Sequence, residues 1–376
     1  AGDEIAVQAG DEWIASLIRL AMGGSLTLAA RYETAATWLD QAARGFSECA
    51  DPFGEAAARL WRCLAWHREA NQTRLAQSLP ETLAVCRAAN YDFLFLRPTL
   101  LGPPDERVLV PLLIEAARQD WESAYAGRLL RGLGLPQITL HPGYQLRVFT
   151  LGAFDAWRGS EIIPAQGWRR EKTRQLFQLL LTFRTAPLDR EQIFDHLWPE
   201  ADPEAARRNF KVALNTLYQV LEPDRARGAD SAYVQREGTV YRLRPEADTW
   251  LDVQSFVETV RQAEARLGEN PTGATPLLEQ AVGLYHGEYL PEVRYETWAV
   301  AEREHLEVLF LRAADHLCEA YLRAGRFEGV VEWSLRILAQ DNCWERAYRY
   351  LMQAYHALGD RGQAARAYHR CVQTLQ

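Results

Sequence analysis

Hydrophobic positions recur with a helical period over the N-terminal third of the chain. Between residues 29 and 46 they return every three to four residues, which predicts a helix with one apolar stripe. Similar stretches predict helices from Glu55 to Ala70 and from about Val108 to Leu130. Three glycines and two prolines within residues 132–144 predict a linker. We therefore expect helical repeats over residues 1–131.

The hydrophobic period changes from helical to strand-like at Gln145. Apolar residues alternate between Leu146 and Thr150, and a hairpin is predicted from Tyr233–Arg236 and Val240–Leu243. Between these strands the pattern predicts three helices, at Arg169–Phe183, Asp189–Leu197 and Pro203–Leu221. Short strands, three helices and a closing hairpin predict a winged-helix domain over residues 145–246.

From Leu251 to its end the chain is again predicted to be helical, and it contains an internal repeat. Four residues, Leu317, Ala320, Tyr321 and Gly325, recur 34 residues later as Leu351, Ala354, Tyr355 and Gly359. This is the tetratricopeptide period, which is typical of stacked helical hairpins that bind other proteins. Residues 247–376 are therefore predicted to be such a domain. The expected fold is mainly α with a small α+β domain, in which tetratricopeptide-like repeats flank a winged helix-turn-helix.

Composition narrows the class of protein. Hydrophobic residues make up 48% of the 376 positions and the net charge is −8, which excludes a disordered chain and a uniformly basic surface. Only residues 145–246 have a positive balance, with 16 basic and 14 acidic residues. The six cysteines are scattered and no apolar run is long enough to span a membrane. We expect reduced thiols, a cytoplasmic location and no membrane partner.

The motifs of enzymes are missing from the sequence. It contains no G-x-x-x-x-G-K-[ST] and no G-x-G-x-x-G motif, and Gly23-Gly24 lacks the partners of a phosphate-binding loop. The eight histidines are dispersed without metal-ligand spacing. We predict no catalytic residue, no cofactor and no metal site in this chain.

The segment Pro203–Leu221 has two chemically different faces when it is drawn as a helix. Its apolar face is formed by Ala206, Phe210, Ala213, Leu214, Leu217 and Leu221. The opposite face is formed by Arg207, Arg208, Lys211, Val212, Asn215, Tyr218 and Gln219. Cations and amides of this kind can pair with base edges and phosphates in a major groove. Ordinary solvated surface is the alternative explanation for such a face, so its surroundings decide between the two.

Further cations precede and follow this helix. Those near the start of an earlier helix are Arg169, Arg170, Lys172 and Arg174, which are predicted to bind backbone phosphates. Those near the tip of the hairpin are Arg236 and Arg242, with Thr239 between them, and they are predicted to enter a minor groove as a wing. Taken together, these groups favour a DNA-binding winged helix.

The sequence resembles a family of bacterial regulators. The segments Trp168–Phe177, Leu188–Ile193, Leu197–Ala206 and Asn209–Leu214 resemble an OmpR/PhoB-type winged helix. The region that follows resembles the bacterial transcriptional activator domain, a family that includes the Streptomyces antibiotic regulatory proteins. The resemblance is carried by Val253–Phe256, Leu284–Pro291, Trp298 and Arg303. This resemblance extends from about Gln145 to Gln376.

The resemblance implies a function and the residues that carry it out. It implies that Pro203–Leu221 lies in the major groove and that the protein, as a homodimer, activates transcription from direct repeats at a promoter. A loop that would contact RNA polymerase includes Trp198, Glu200, Asp202 and Glu204. In one departure, residues 215–219 replace the basic stretch that is usual in the family. The family's domain also usually extends further than Gln376, so we expect a trimmed chain.

The N-terminal helices resemble, more diffusely, the repeats of MalT-like regulators. That resemblance implies a protein or small-molecule effector at the repeats, and a nucleotide-hydrolysing module upstream of Ala1 in a longer protein. The leading hypothesis is a sequence-specific DNA-binding activator. The alternative is a signalling scaffold whose degenerate winged helix binds protein instead of DNA.

Overall fold

Helices in the N-terminal part of the chain begin at intervals of 20 residues. In a computed structural model, which describes residues 2–376, four consecutive helices of 17 residues each start at Glu12, Tyr32, Pro52 and Gln72. The helices of this part are α1 (Gly2–Gln8), α2 (Glu12–Leu28), α3 (Tyr32–Glu48), α4 (Pro52–Arg68), α5 (Gln72–Ala88), α6 (Phe93–Leu96), α7 (Val110–Arg118) and α8 (Ser123–Gly132).

The same left-handed turn ends each of the four long helices. Ala30, Ala50, Ala70 and Asn90 have φ values between 53° and 60°. In each turn the next residue donates its N–H to the carbonyl five positions earlier, at 2.8–2.9 Å, which defines a Schellman motif. Asp51 then accepts hydrogen bonds from the first turn of α4. This 20-residue repeat was not predicted from the sequence, because alanine or asparagine stands where glycine normally marks the turn.

The single helix predicted from Val108 to Leu130 is wrong. The chain there forms a 3-10 turn at Glu106–Leu109, followed by α7 and α8 as separate helices. Asp120 and Glu122 lie between them with φ values of 59° and 50°. These left-handed residues reverse the chain, and apolar spacing alone does not reveal such a reversal.

Helices α2 and α3 approach each other closely at Gly23. A Cβ atom added to this glycine would lie 2.5 Å from Cγ of Leu39. Leu39 and Phe46, both fully buried, belong to the core beneath α3. Gly23 therefore has a packing role.

The chain divides into two compact units, and neither is a single stretch of sequence. The first unit contains residues 2–145, 221–235 and 243–248, and the second contains residues 146–220, 236–242 and 249–376. The domain boundaries predicted from the sequence, after residues 131, 144 and 246, stay predictions.

Two small sheets are formed by the middle of the chain. Their strands are β1 (Leu146–Phe149), β2 (Asp155–Arg158), β3 (Glu161–Ile162), β4 (Leu188–Asp189), β5 (Val234–Glu237), β6 (Val240–Leu243) and β7 (Thr249–Leu251). The first sheet has the order β3-β2-β1-β7, in which β1 is antiparallel to β2 and parallel to β7. The second has the order β4-β6-β5. Strand β7 was not predicted from the sequence, because a three-residue strand is too short to show a period of two.

Three helices complete the winged-helix region. They are α9 (Glu171–Thr182), α10 (Arg190–Leu197) and α11 (Pro203–Leu221). Helix α10 begins with a capping box. The Asp189 carboxylate accepts a hydrogen bond from the backbone of the first turn, and the Gln192 side chain accepts one from the backbone N–H of Asp189. The predicted bounds of α11 are confirmed, and so is the fold class, mainly helical with a small winged-helix region.

The C-terminal region is helical, and the residues of the predicted 34-residue repeat lie at equivalent positions of its helices. Its helices are α12 (Asp252–Glu269), α13 (Pro271–Leu284), α14 (Val300–Arg323), α15 (Phe327–Gln340), α16 (Glu345–Ala357) and α17 (Arg361–Leu375). Gly325 and Gly359 follow α14 and α16 with φ values of 71° and 80°. Tyr321 packs against α15 at Gly329, where an added Cβ would lie 2.6 Å from the tyrosine ring.

Candidate DNA-binding surface

Helix α11 buries one face and exposes the other. All six residues of the predicted apolar face are buried, which confirms that part of the interpretation: Ala206, Phe210, Ala213, Leu214, Leu217 and Leu221. Six residues of the predicted recognition face are exposed: Arg207, Arg208, Lys211, Val212, Asn215 and Gln219. Tyr218 is half-buried. The structure therefore presents one polar surface along the length of the helix.

Phe210 anchors α11 by aromatic contacts. Its ring lies 5.6 Å from Phe194 in α10 and 5.0 Å from Tyr241 in β6, edge to face in both cases. These centroid distances fall within the favourable range for aromatic pairs. Because one side chain touches both neighbouring elements, the orientation of the exposed face is set by the core beneath it.

The segment before α11 combines structural and exposed residues. The Asp202 carboxylate caps the helix, since its Oδ1 atom accepts hydrogen bonds from the backbone of Glu204 at 3.1 Å and of Ala205 at 3.0 Å. Trp198 is half-buried and lies 6.5 Å from Phe210, ring to ring. Glu200 and Glu204 are exposed. Of the four residues predicted to contact polymerase, Trp198 and Asp202 thus have structural roles, in packing and in capping the helix.

Arg169 lies in an unusual position just before α9. Its φ of 59° directs the chain into the helix, and Arg170, in extended backbone, forms the N-cap. The guanidinium of Arg169 donates a hydrogen bond to Oε1 of Gln219 at 2.8 Å. A residue predicted to bind phosphate, just before α9, therefore contacts a residue of α11 predicted to read a base.

The remaining cations at the start of α9 and on α11 differ in their surroundings. Arg174 forms an ion pair with Glu171 at 2.9 Å, and Arg207 forms a longer one with Glu204 at 3.5 Å. Among the side chains that the structure describes, Arg170, Lys172, Arg208 and Lys211 have no acidic partner. These four cations remain available to an external anion.

The turn of the wing is fastened to the start of α10. Thr239 donates its hydroxyl proton to Asp189 at 2.6 Å and accepts the backbone N–H of Arg190 at 2.9 Å. The hydrogen bond from Thr239 lowers the pKa of Asp189. Asp189 was predicted only as the first residue of a helix, although an aspartate at the start of a helix is a usual signal of an N-cap.

The two wing arginines are oriented by their own hairpin. Arg236 donates to the carbonyl of Gly238 at 3.0 Å, and its guanidinium lies 5.8 Å from the centre of the Tyr241 ring. Arg242 forms an ion pair with Glu237 at 3.6 Å. The structure thus places the wing beside α10 and gives its arginines partners within the hairpin.

Polar contacts join the winged helix to the C-terminal helices within the second unit. Asp252, fully buried, accepts hydrogen bonds from the backbone and hydroxyl of Thr150 and from the backbone of Leu151, at 2.6–2.8 Å. Arg184 donates to Glu302 at 2.7 Å. Arg184 follows α9, and only the structure identifies it as the partner of Glu302.

Comparison with known proteins agrees with this architecture. Residues 251–376 match the family described as bacterial transcriptional activator domain. They cover α12 to α17 and confirm the resemblance found in the sequence for this part of the chain. The family match supports a transcriptional regulator as the class of protein.

A solved structure that is similar in fold is known. It is Mycobacterium tuberculosis EmbR in complex with a low-affinity phosphopeptide, with a TM-score of 0.52 and 21% sequence identity. The similarity covers 62% of this chain and 60% of that chain, so the chain spans less than two thirds of the relative it matches. At this identity the likeness concerns the fold alone. No curated protein sequence matches the chain.

Other kinds of site have little support within residues 2–376. No group of three or more histidine, cysteine or acidic residues there is arranged to hold a metal ion. None of the helices in that range has both the length and the apolar character that crossing a bilayer requires.

Proposed function

We propose that the protein regulates transcription by binding double-stranded DNA through α11. The observation that carries this proposal is the exposed polar face of a helix whose opposite face is wholly buried. A major groove admits such a helix, and arginine, lysine and asparagine can pair with its base edges. The wing beside α10 would contact the neighbouring minor groove.

Affinity would come mainly from four cations without acidic partners among the described side chains. Arg170 and Lys172 lie at the start of α9, and Arg208 and Lys211 lie on α11. With about five phosphate contacts, the logarithm of affinity should fall with that of salt concentration at a slope of about −4 to −5.

Activation would follow from contact with RNA polymerase. Glu200 and Glu204 are the exposed acids of the loop before α11, and they support that role better than Trp198 and Asp202, which pack and cap. A homodimer on direct repeats and an effector at the N-terminal repeats complete the proposal. We also propose that no catalytic step belongs to these residues.

The deciding experiment is selection of bound sequences from a random duplex pool. We expect one enriched motif, present as a direct repeat. On that motif, R208A/K211A should weaken binding and make the salt slope shallower by about 1 for each phosphate that is no longer neutralised. The matched control is R361A/R370A, which removes two exposed arginines of α17. Failure to enrich any motif would favour the protein-binding scaffold.

Base reading has its own test. Asn215→Ala should change the enriched motif at one position and leave the salt slope unaltered, because an amide reads a base without neutralising phosphate. The measurement is repeated selection with the variant. An unchanged motif would remove Asn215 from the reading face.

A further inference from the structure

A cavity of about 780 Å³ lies in the first unit, and its walls include no residue of the recognition face of α11. Four parts of the chain line it. They are the ends of α2 and α4 with the start of α3, Val108 and Pro111 around the start of α7, the linker at residues 140–144, and the segment 222–232 that follows α11. This volume is within the range of small-molecule sites, which typically measure about 300–1,000 Å³.

The walls of the cavity combine apolar surface, aromatic rings and an excess of carboxylates. Leu64 and Val108 contribute apolar surface, and Tyr32 and Tyr144 contribute rings. Three acidic residues, Glu222, Asp224 and Asp230, and two arginines, Arg68 and Arg225, also line the cavity.

The three carboxylates of the cavity differ in their surroundings. Glu222 is buried and accepts hydrogen bonds from Ser231 and from the backbone of Ala232, whereas Asp224 and Asp230 are exposed. Neither aspartate has a hydrogen-bond or ion-pair partner among the side chains that the structure describes. The guanidinium of Arg225, by contrast, donates to the carbonyl of Ala229. Apolar walls, rings and unused negative charge together suit a cation with an apolar body.

Tyr144 connects the cavity to the DNA-binding elements. Its hydroxyl donates to the carbonyl of Leu221, the last residue of α11, at 2.8 Å. Its own carbonyl accepts the hydroxyl of Tyr233, one residue before β5, also at 2.8 Å. One cavity-lining residue therefore touches the end of the recognition helix and the start of the wing hairpin.

We propose that this cavity binds a small organic cation with an aromatic or aliphatic body, and that occupancy changes DNA binding through Tyr144. The second half of this proposal rests on the proposed function, and the first half does not. A bound cation would place its charge near Asp224 and Asp230 and its apolar body against Tyr32 and Tyr144.

Binding is tested on the whole chain with three fluorescent probes of similar size. Dansylcadaverine has an ammonium group, N-pentyl dansylamide is neutral, and dansyl-aminohexanoate is anionic. We expect saturable one-to-one binding of dansylcadaverine with a blue-shifted emission, and weaker binding of the other two. Equal affinity for the neutral or anionic probe, or no saturable binding, would overturn the proposal.

Variants locate the probe. D224N/D230N should weaken dansylcadaverine binding about tenfold, the effect expected for two exposed ion pairs. The control E328Q/E332Q removes the same charge from exposed positions of α15 and should leave affinity unchanged. Equal effects of the two double variants would show that only net charge matters, which contradicts a site.

Coupling is tested separately from binding. Tyr144→Phe keeps the ring and removes the hydroxyl, so probe affinity should stay within about twofold while the probe's effect on DNA affinity disappears. An effect that persists in Tyr144→Phe would overturn the coupling. If the protein binds no DNA motif, the proposed function fails, but probe titration still reports on the cavity.

Discussion

At the scale of single residues, the structure changes the roles of several predicted contacts. Arg169 holds Gln219, Thr239 holds Asp189, and Asp202 caps α11. Arg169 and Thr239 were predicted from their chemistry to contact DNA, and the family resemblance implied that Asp202 contacts polymerase. Polar side chains near a functional surface often position their neighbours, and composition alone does not separate the two roles.

The contact between Arg169 and Gln219 predicts non-additive effects on DNA binding. If Arg169 orients Gln219, the double variant R169A/Q219A should lose about 0.5–1 kcal/mol less than the sum of the single variants. The measurement is a double-mutant cycle of affinity on the selected DNA motif. Additive losses would show that the two residues act independently.

His67 predicts a dependence of stability on pH. Burial lowers its pKa below 6.5, opposed by the charge of Glu115 and assisted by Arg68 and Arg118. Because the unfolded chain takes up a proton first, the stability contributed by neutral His67 is complete above pH 6.5 and declines as pH falls toward the folded pKa.

Denaturant unfolding of His67→Gln from about pH 7 to about pH 5 tests this expectation. The free energy of unfolding should fall less steeply with decreasing pH in the variant than in the parent. Parallel curves would show that His67 titrates alike in the folded and unfolded chains.

At the scale of elements, the N-terminal helices are defined by their turns as much as by their apolar stripes. Alanine at a left-handed position costs about 1–2 kcal/mol relative to its favoured backbone, and glycine avoids that cost. Glycine also lowers the stability of the fold by about 0.5–1 kcal/mol, because it gives the unfolded chain more conformational freedom. Relief of the left-handed strain stabilises the fold and the added freedom destabilises it, and the relief of strain is the larger effect.

Ala50→Gly should therefore stabilise the protein by about 0.5–1 kcal/mol. The matched control is Ala76→Gly, at an exposed position inside α5, which should destabilise it by about 1 kcal/mol. Chemical denaturation of both variants provides the comparison. Destabilisation by both would contradict the left-handed turn at Ala50.

At the scale of the whole molecule, the second unit contains most of the strands and helices of the winged helix together with α12 to α17. Asp252 is central to that arrangement, because its buried carboxylate satisfies backbone N–H groups of Thr150 and Leu151. Leaving a buried backbone donor without a partner costs about 1–3 kcal/mol.

Asp252→Ala should accordingly lower the free energy of unfolding by about 2–3 kcal/mol. Asp155→Ala, at an exposed position in β2, is the control and should change it by less than about 0.5 kcal/mol. Circular dichroism and tryptophan fluorescence would follow unfolding. Similar small losses of stability in both variants would show that Asp252 does not hold the unit together.

Sequence patterns predicted the long elements well and the short or reversed ones poorly. The bounds of α11 and its buried face followed from 19 residues of one period. Strand β7 and the break between α7 and α8 did not, since three residues show no period and a left-handed Asp120 leaves no apolar signal. The DNA-binding role of the α11 face stays a prediction, which the selection experiment tests.

The sequence by itself determined the helical periods, the 34-residue repeat and the two-faced character of α11, because these depend on residues close together in the chain. Only the tertiary structure decided which polar groups meet. The pairs Arg169 with Gln219, Glu302 with Arg184, and Tyr144 with Leu221 are separated by 50 residues or more. Such contacts depend on how the helices pack, and no local pattern encodes them.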